Sequence, residues 1–152
     1  MNLKYIIQTI MFGAALFAGV HCAAHEGAVS VHPDARPVEH VLKAQFDKPE
    51  APLSVAPVSV EGNYAVAGWL QGSRGGRALL RKDAGGWAIL ACGGDGLSQA
   101  SALQQAGMSV AAAASLAQKI ERQEAQLTVA QRKQLSSFVG VMKLEHGAHP
   151  HH

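Results

Sequence analysis

The chain contains little cysteine, few aromatic residues and little charge. Of its two cysteines, Cys22 lies in a segment that we expect to be removed, which leaves Cys92 alone and excludes an intrachain disulfide. Aromatic residues make up 5% and charged residues 16% of the 152 residues, and the formal net charge is +2. Without a strong positive charge or a run of lysine and arginine, the composition does not favour a nucleic-acid-binding surface.

Histidine is absent from the 105 residues between Val41 and Glu145, although the chain has eight histidines in all. A cysteine nucleophile needs a nearby base, usually histidine, so an exported thiol enzyme centred on Cys92 is the least favoured class. We therefore do not expect an enzyme. The histidines lie at the two ends, four in residues 21–40 and four in residues 146–152. Short histidine-rich tracts are typical of metal binding.

Residues 1–24 have the composition of an export signal. Lys4 supplies a positive start, residues 5–20 are mostly apolar, and Ala23 and Ala24 provide small residues for cleavage. An apolar stretch of this length is shorter than the roughly 20 residues of a spanning helix. The pattern predicts a signal peptide, a periplasmic or secreted protein, and no transmembrane segment after cleavage.

The mature chain predicts one α+β domain over residues 35–140, between a flexible arm (25–34) and a histidine-rich tail (141–152). Val38, Val41, Leu42 and Phe46 have the spacing of an amphipathic helix, which should end before Pro49. Three strands should follow, at 64–71, 77–82 and 87–92, joined by glycine-rich hairpin turns. Residues 53–60 form at most an edge strand, because of Pro57.

About three helices should then pack on this antiparallel meander of three or four strands. Asp95 is a candidate N-cap for a helix that runs to Ala106, and Ser109 for a second helix. Thr128 and Gln131 have capping-box spacing for a third, which Gly140 should end. Their predicted apolar face consists of Leu103, Leu116, Ile120, Leu127, Leu135, Phe138 and Val139.

The new amino terminus is a candidate copper site. Cleavage after Ala24 leaves His25 first, and its α-amine and imidazole can chelate one metal ion together. Cleavage after Cys22 instead leaves Ala23-Ala24-His25, which offers four nitrogens in the square-planar geometry that Cu(II) prefers. His32, beside Pro33, is a further candidate ligand. The alternative is that His25 merely follows a cleavage site.

The carboxyl end is the second candidate metal site. His146, His149, His151 and His152 offer imidazoles suited to Cu(II), with zinc as an alternative, and Met142 offers a thioether suited to Cu(I). Such a segment favours weak, pH-dependent metal capture and hand-over over a rigid closed site.

Cys92 ends the last predicted strand, just before Gly93 and Gly94. A buried core cysteine is the simplest interpretation, and strand alternation would place it on the same face as Ala88 and Leu90. The alternatives are a Cu(I) thiolate or a redox thiol, because the glycines allow close approach of a ligand and a following helix would lower the thiol pKa.

Arg77 and Arg81 share one face of the predicted hairpin, which we expect to be a solvated edge. Trp69 and Trp87 are expected to be hydrophobic anchors between the sheet and the helices rather than a binding box.

Three segments, 67–72, 75–82 and 86–95, with the motifs AGWLQG, GGRALLRK and GWAILACGGD, resemble the bacterial copper uptake system-associated proteins. The likeness extends back through 46–53 and forward to Phe138. It implies an exported protein that works beside copper transport components of the envelope, and it implies no ligand set.

The favoured hypothesis is an exported accessory protein that captures copper, as Cu(II) or Cu(I), and passes it to a membrane copper importer or a second periplasmic carrier. The alternative is an envelope adaptor that docks a membrane partner and has no essential metal role.

Overall fold

The computed structural model describes residues 31–144. The predicted signal peptide, most of the predicted arm, and the candidate ligands His25, His146, His149, His151 and His152 lie outside this range. In chain order the elements are α1 (Ala35–Phe46), β1 (Leu53–Glu61), β2 (Tyr64–Gln71), β3 (Arg74–Asp83), β4 (Gly86–Gly93), a short 3-10 helix (Asp95–Ser98), α2 (Ala100–Gln105), α3 (Val110–Glu124), α4 (Val129–Leu135) and β5 (Val141–Lys143).

The fold is α+β, as predicted: an N-terminal helix, an antiparallel meander and helices packed against it. The five strands lie in sequence order, β1-β2-β3-β4-β5, and β1 is an edge strand, as its proline predicted. Two-residue turns join β1 to β2, β2 to β3 and β3 to β4. The first residue of two of these turns, Gly62 and Gly72, has φ of +57°, which glycine adopts without strain.

Both faces of the sheet are buried. On one face, Val38 and Leu42 of α1 are 0% and 1% exposed and pack on alternate residues of β1 to β4. On the other face, Leu103 of α2 and Leu116 and Ile120 of α3 pack on residues such as Val66 and Leu79. Burial of a large aliphatic side chain contributes roughly 1.5–3 kcal/mol, so α1 and α3 are held mainly by these contacts.

Local signals located the helices well, with two exceptions. The side chains of Ser109 and Thr128 cap α3 and α4, and Gln131 completes the predicted capping box. The helix expected to run from Asp95 to Ala106 is instead a 3-10 helix followed by the separate α2. Asp95 is the first residue of the 3-10 helix and not an N-cap, since Gly94 occupies the capping position. The helix expected to end at Gly140 stops at Leu135.

The carboxyl end of the fold differs from the prediction. Residues 141–143, expected to begin the tail, form β5, which pairs with β4, and the Leu144 N–H donates to the carbonyl of Leu90. Val139, expected to lie on an apolar helix face, is 95% exposed in the connection between α4 and β5. Three residues carry too little pattern to predict a strand, so only pairing with β4 reveals it.

Candidate metal-binding groove

A cavity of about 280 Å³ lies on the α1 face of the sheet. It is bounded by α1, by the ends of β1, β2, β3 and β4, and by the segment that runs from α4 into β5. We call it the Cys92 groove; its lining residues are Leu42, Phe46, Lys48, Leu53, Trp69, Gln71, Arg74, Cys92, Phe138, Met142 and Leu144.

The fold brings together two of the predicted ligands, Cys92 and Met142. They are direct partners in the antiparallel pairing of β4 with β5, and both line the Cys92 groove. Cβ atoms of directly opposed residues lie about 4.5–5.5 Å apart on the same face of a sheet. Cys92 is 6% exposed and Met142 is 52% exposed, so the thiol lies inside and the thioether at the mouth.

A bulge in β4 decides which way Cys92 points. Leu79 pairs with Ala91 and Leu80 with Ile89, so Leu90 is an extra residue without a partner in β3. The bulge shifts the alternation by one residue. Cys92 therefore belongs to the α1-face core with Trp87 and Ile89, and the predicted face shared with Ala88 and Leu90 is wrong.

Cys92 is a buried core residue, which is the simplest interpretation of its place in the sequence. Burial raises the pKa of the Cys92 thiol, because the apolar surroundings disfavour the thiolate. The following glycines do not open a path for a ligand. A Cβ on Gly93 would lie 3.1 Å from the carbonyl oxygen of Gly140, and one on Gly94 would overlap the carbonyl oxygen of Phe138. The absence of side chains at Gly93 and Gly94 instead leaves room for the backbone of Phe138 and Gly140, in the segment that leads into β5.

Trp69 and Phe138 form one wall of the Cys92 groove. Their rings meet edge to face at 82°, with centroids 6.1 Å apart. Within the described residues, the buried indole N–H of Trp69 has no hydrogen-bond partner. Trp87, by contrast, is 8% exposed in the core and its indole N–H donates to Asp34 over 3.3 Å.

The two histidines within residues 31–144, His32 and His40, lie away from the Cys92 groove. His32 is exposed, and its Nδ1 accepts a hydrogen bond from the backbone N–H of Asp34 over 3.1 Å. His40 is exposed on α1. Neither residue lines the groove, so in the described region the candidate ligands brought together are the two sulfurs.

Arg77 is not on a solvated edge. It is 3% exposed on the α3 face, where Nε and Nη2 donate to the two carboxylate oxygens of Glu124 over 2.7 Å each. Its Nη1 donates to Asp95 over 3.1 Å, and Asp95 also accepts from the hydroxyl of Ser136. The sequence signal is local: Arg77 lies between the glycines 75–76 and the apolar run Ala78-Leu79-Leu80 of β3, where a charged side chain needs a partner if it is buried. This cluster fixes the end of α3 and the start of the 3-10 helix against β3.

Among residues 31–144, no three histidine, cysteine, aspartate or glutamate side chains come together as a metal-ligand cluster. Nor does that part of the chain contain a helix with the length and apolar composition needed to cross a membrane. No protein-family model, curated protein or solved structure matches the chain.

Proposed function

We propose that the protein is an exported copper-binding accessory protein, which captures copper at its histidine-rich ends and passes it to an envelope uptake system. The observation that carries the proposal is the position of Met142 opposite Cys92, a few residues before the four histidines at the carboxyl end. In the sequence, His146 follows two residues after Leu144, which lines the same groove. The histidines that we propose capture the metal therefore follow closely, along the chain, on the residues that line the groove.

Ligand exchange is the mechanism that this arrangement favours. Imidazoles bind Cu(II) and zinc, exchange readily, and lose their metal as they are protonated near pH 6.5. The acceptor is a membrane copper importer or a second periplasmic carrier, which the likeness to copper uptake system-associated proteins also suggests. The amino-terminal chelate at His25 adds a second Cu(II) site if cleavage falls after Cys22 or Ala24.

A second candidate function is an envelope adaptor. Val139, Val141 and Met142 are 95%, 51% and 52% exposed, and β5 is an edge strand of the described sheet. An exposed strand edge with apolar side chains can add a strand of a partner protein. In this role the tail would carry no essential metal.

Replacing the four tail histidines with asparagine separates the two functions, because chain length and polarity are kept. Equilibrium dialysis of the exported chain against Cu(II), with and without competing Zn(II), measures the bound metal. The copper proposal predicts that the variant loses most of its Cu(II) and that cells carrying it accumulate less copper. Unchanged metal content and unchanged copper supply would contradict it and favour the adaptor.

A further inference from the structure

The Cys92 groove has features that go beyond general copper binding and bear on oxidation state. Resting on the proposed copper function, we infer that Cys92 and Met142 form a two-sulfur site for monovalent copper, Cu(I). The groove is then a Cu(I)-binding site within the folded domain, separate from the imidazoles at the two ends of the chain.

The spacing of the two residues suits one metal ion between two sulfurs. The zinc–thiolate bond is about 2.3 Å long, and with a metal–sulfur bond of about this length two sulfurs that share an ion in a line are about 4.6 Å apart. Directly opposed Cβ atoms about 4.5–5.5 Å apart allow this separation. Cys92 and Met142 are such a pair, on the same face and in the same cavity.

The chemistry of the lining selects the softer ion. Thiolate and thioether are the ligands that favour Cu(I), whereas Cu(II) and zinc also take imidazole or carboxylate. None of the residues that line the groove is histidine, aspartate or glutamate. Its charged lining residues are Lys48 and Arg74, and their positive charges repel a divalent ion about twice as strongly as a monovalent one.

Binding requires one bond to break and no electron to move. Copper arrives already as Cu(I), the Cys92 S–H bond breaks and its proton passes to bulk water, and the thiolate forms the first copper–sulfur bond. The half-exposed Met142 is uncharged in every state and supplies the second bond at the mouth of the groove.

Trp69 supplies a spectroscopic reporter, because it lines the same cavity as both sulfurs. An ion bound between the sulfurs should quench its fluorescence.

Met142→Leu is the decisive variant. It removes the sulfur, keeps the apolar volume, and lies at a half-exposed position where folding tolerates it. Met108→Leu is the matched control, because Met108 is buried at 6% exposure in the core on the opposite face. Cys92→Ser, with its fold verified by thermal melting, removes the first ligand.

The exported chain with its four tail histidines replaced by asparagine is titrated with Cu(I) against a chromogenic Cu(I) chelator, and with Ag(I) as a redox-inert analogue. We expect one ion per chain, loss of binding in Cys92→Ser, and at least about 10-fold weaker binding in Met142→Leu, since loss of even an outer-shell partner costs that much. Met108→Leu should bind as the parent does.

Equal affinities of Met142→Leu and Met108→Leu would overturn the inference, as would the absence of a Cu(I) ion in the parent. If the parent with the asparagine tail binds no Cu(I) while the chain with its native histidines still binds copper, the two-sulfur site is refuted and the proposed function stands. If the groove takes Cu(I) and the tail variant supplies copper normally, the site stands and the role of the tail fails.

Discussion

The buried pair between Arg77 and Glu124 gives the sharpest stability prediction. In Glu124→Gln the carboxylate is lost, and the Arg77 guanidinium stays buried. Among residues 31–144 its one remaining charged partner is the carboxylate of Asp95 at 3.1 Å, on a side chain that is 64% exposed. Removal of one partner of a buried ion pair costs about 3–5 kcal/mol. Because Asp95 remains and the glutamine oxygen still accepts a hydrogen bond, we expect about 2–3 kcal/mol.

A loss of this size lowers the melting temperature by about 8–12 °C for a domain of this length. Thermal unfolding followed by circular dichroism measures it, with Glu121→Gln as the control, since Glu121 is exposed on the same helix and forms no ion pair within the described residues. The double variant Arg77→Met/Glu124→Leu should recover most of the loss, because no buried charge is left unpaired. A Glu124→Gln melting temperature within about 2 °C of the parent would refute the reasoning.

Three further predictions follow from single contacts. Hydrogen bonding from Lys119 lowers the pKa of the Glu61 carboxyl below its ordinary value of 4.5. The ionised carboxylate therefore stabilises the fold above pH 4.5, and this stabilisation is lost as the pH falls through the lower pKa of the native state. Between these two pKa values, the free energy of unfolding of Glu61→Gln should depend less on pH than that of the parent. Burial raises the pKa of Cys92, so iodoacetamide should modify it more slowly in the native than in the urea-unfolded chain, and an equal rate would contradict the buried thiol. Gly94→Ala should destabilise the fold by about 1–3 kcal/mol, because its Cβ overlaps a backbone carbonyl, whereas Gly96→Ala, whose Cβ meets its nearest atom at 3.7 Å, should not.

The parts of the fold predicted from sequence rest on signals within a few residues. The helical spacing before Pro49 and the caps at Ser109 and Thr128 act locally, and each lies where it was expected. The α+β class followed from their order along the chain. Local backbone preference and tertiary packing agree at these positions. The turn predicted over residues 72–76 is shorter than expected, because β3 already begins at Arg74.

The missed features depend on contacts between distant residues. Nothing near Leu90 marks it as the bulge residue that turns Cys92 towards α1. The burial of Arg77 depends on Glu124, which lies 47 residues later. The pairing of Met142 with Cys92 requires the chain to cross close over Gly94 before it forms β5.

The candidate site was predicted only in its residue types. The sequence indicates Cys92 and Met142 as two separate soft ligands, whereas the pairing of β4 with β5 places both in one groove. The histidines at both ends stay predictions, because residues 1–30 and 145–152 lie outside the described range.

The most direct test of the copper function is mass spectrometry of the protein recovered from the cell envelope, which gives the amino-terminal residue and the bound metal together. We predict a chain that begins at Ala23 or His25 and retains copper. A chain that keeps residues 1–24, or that holds no copper after exposure to both Cu(I) and Cu(II), would contradict an exported copper carrier.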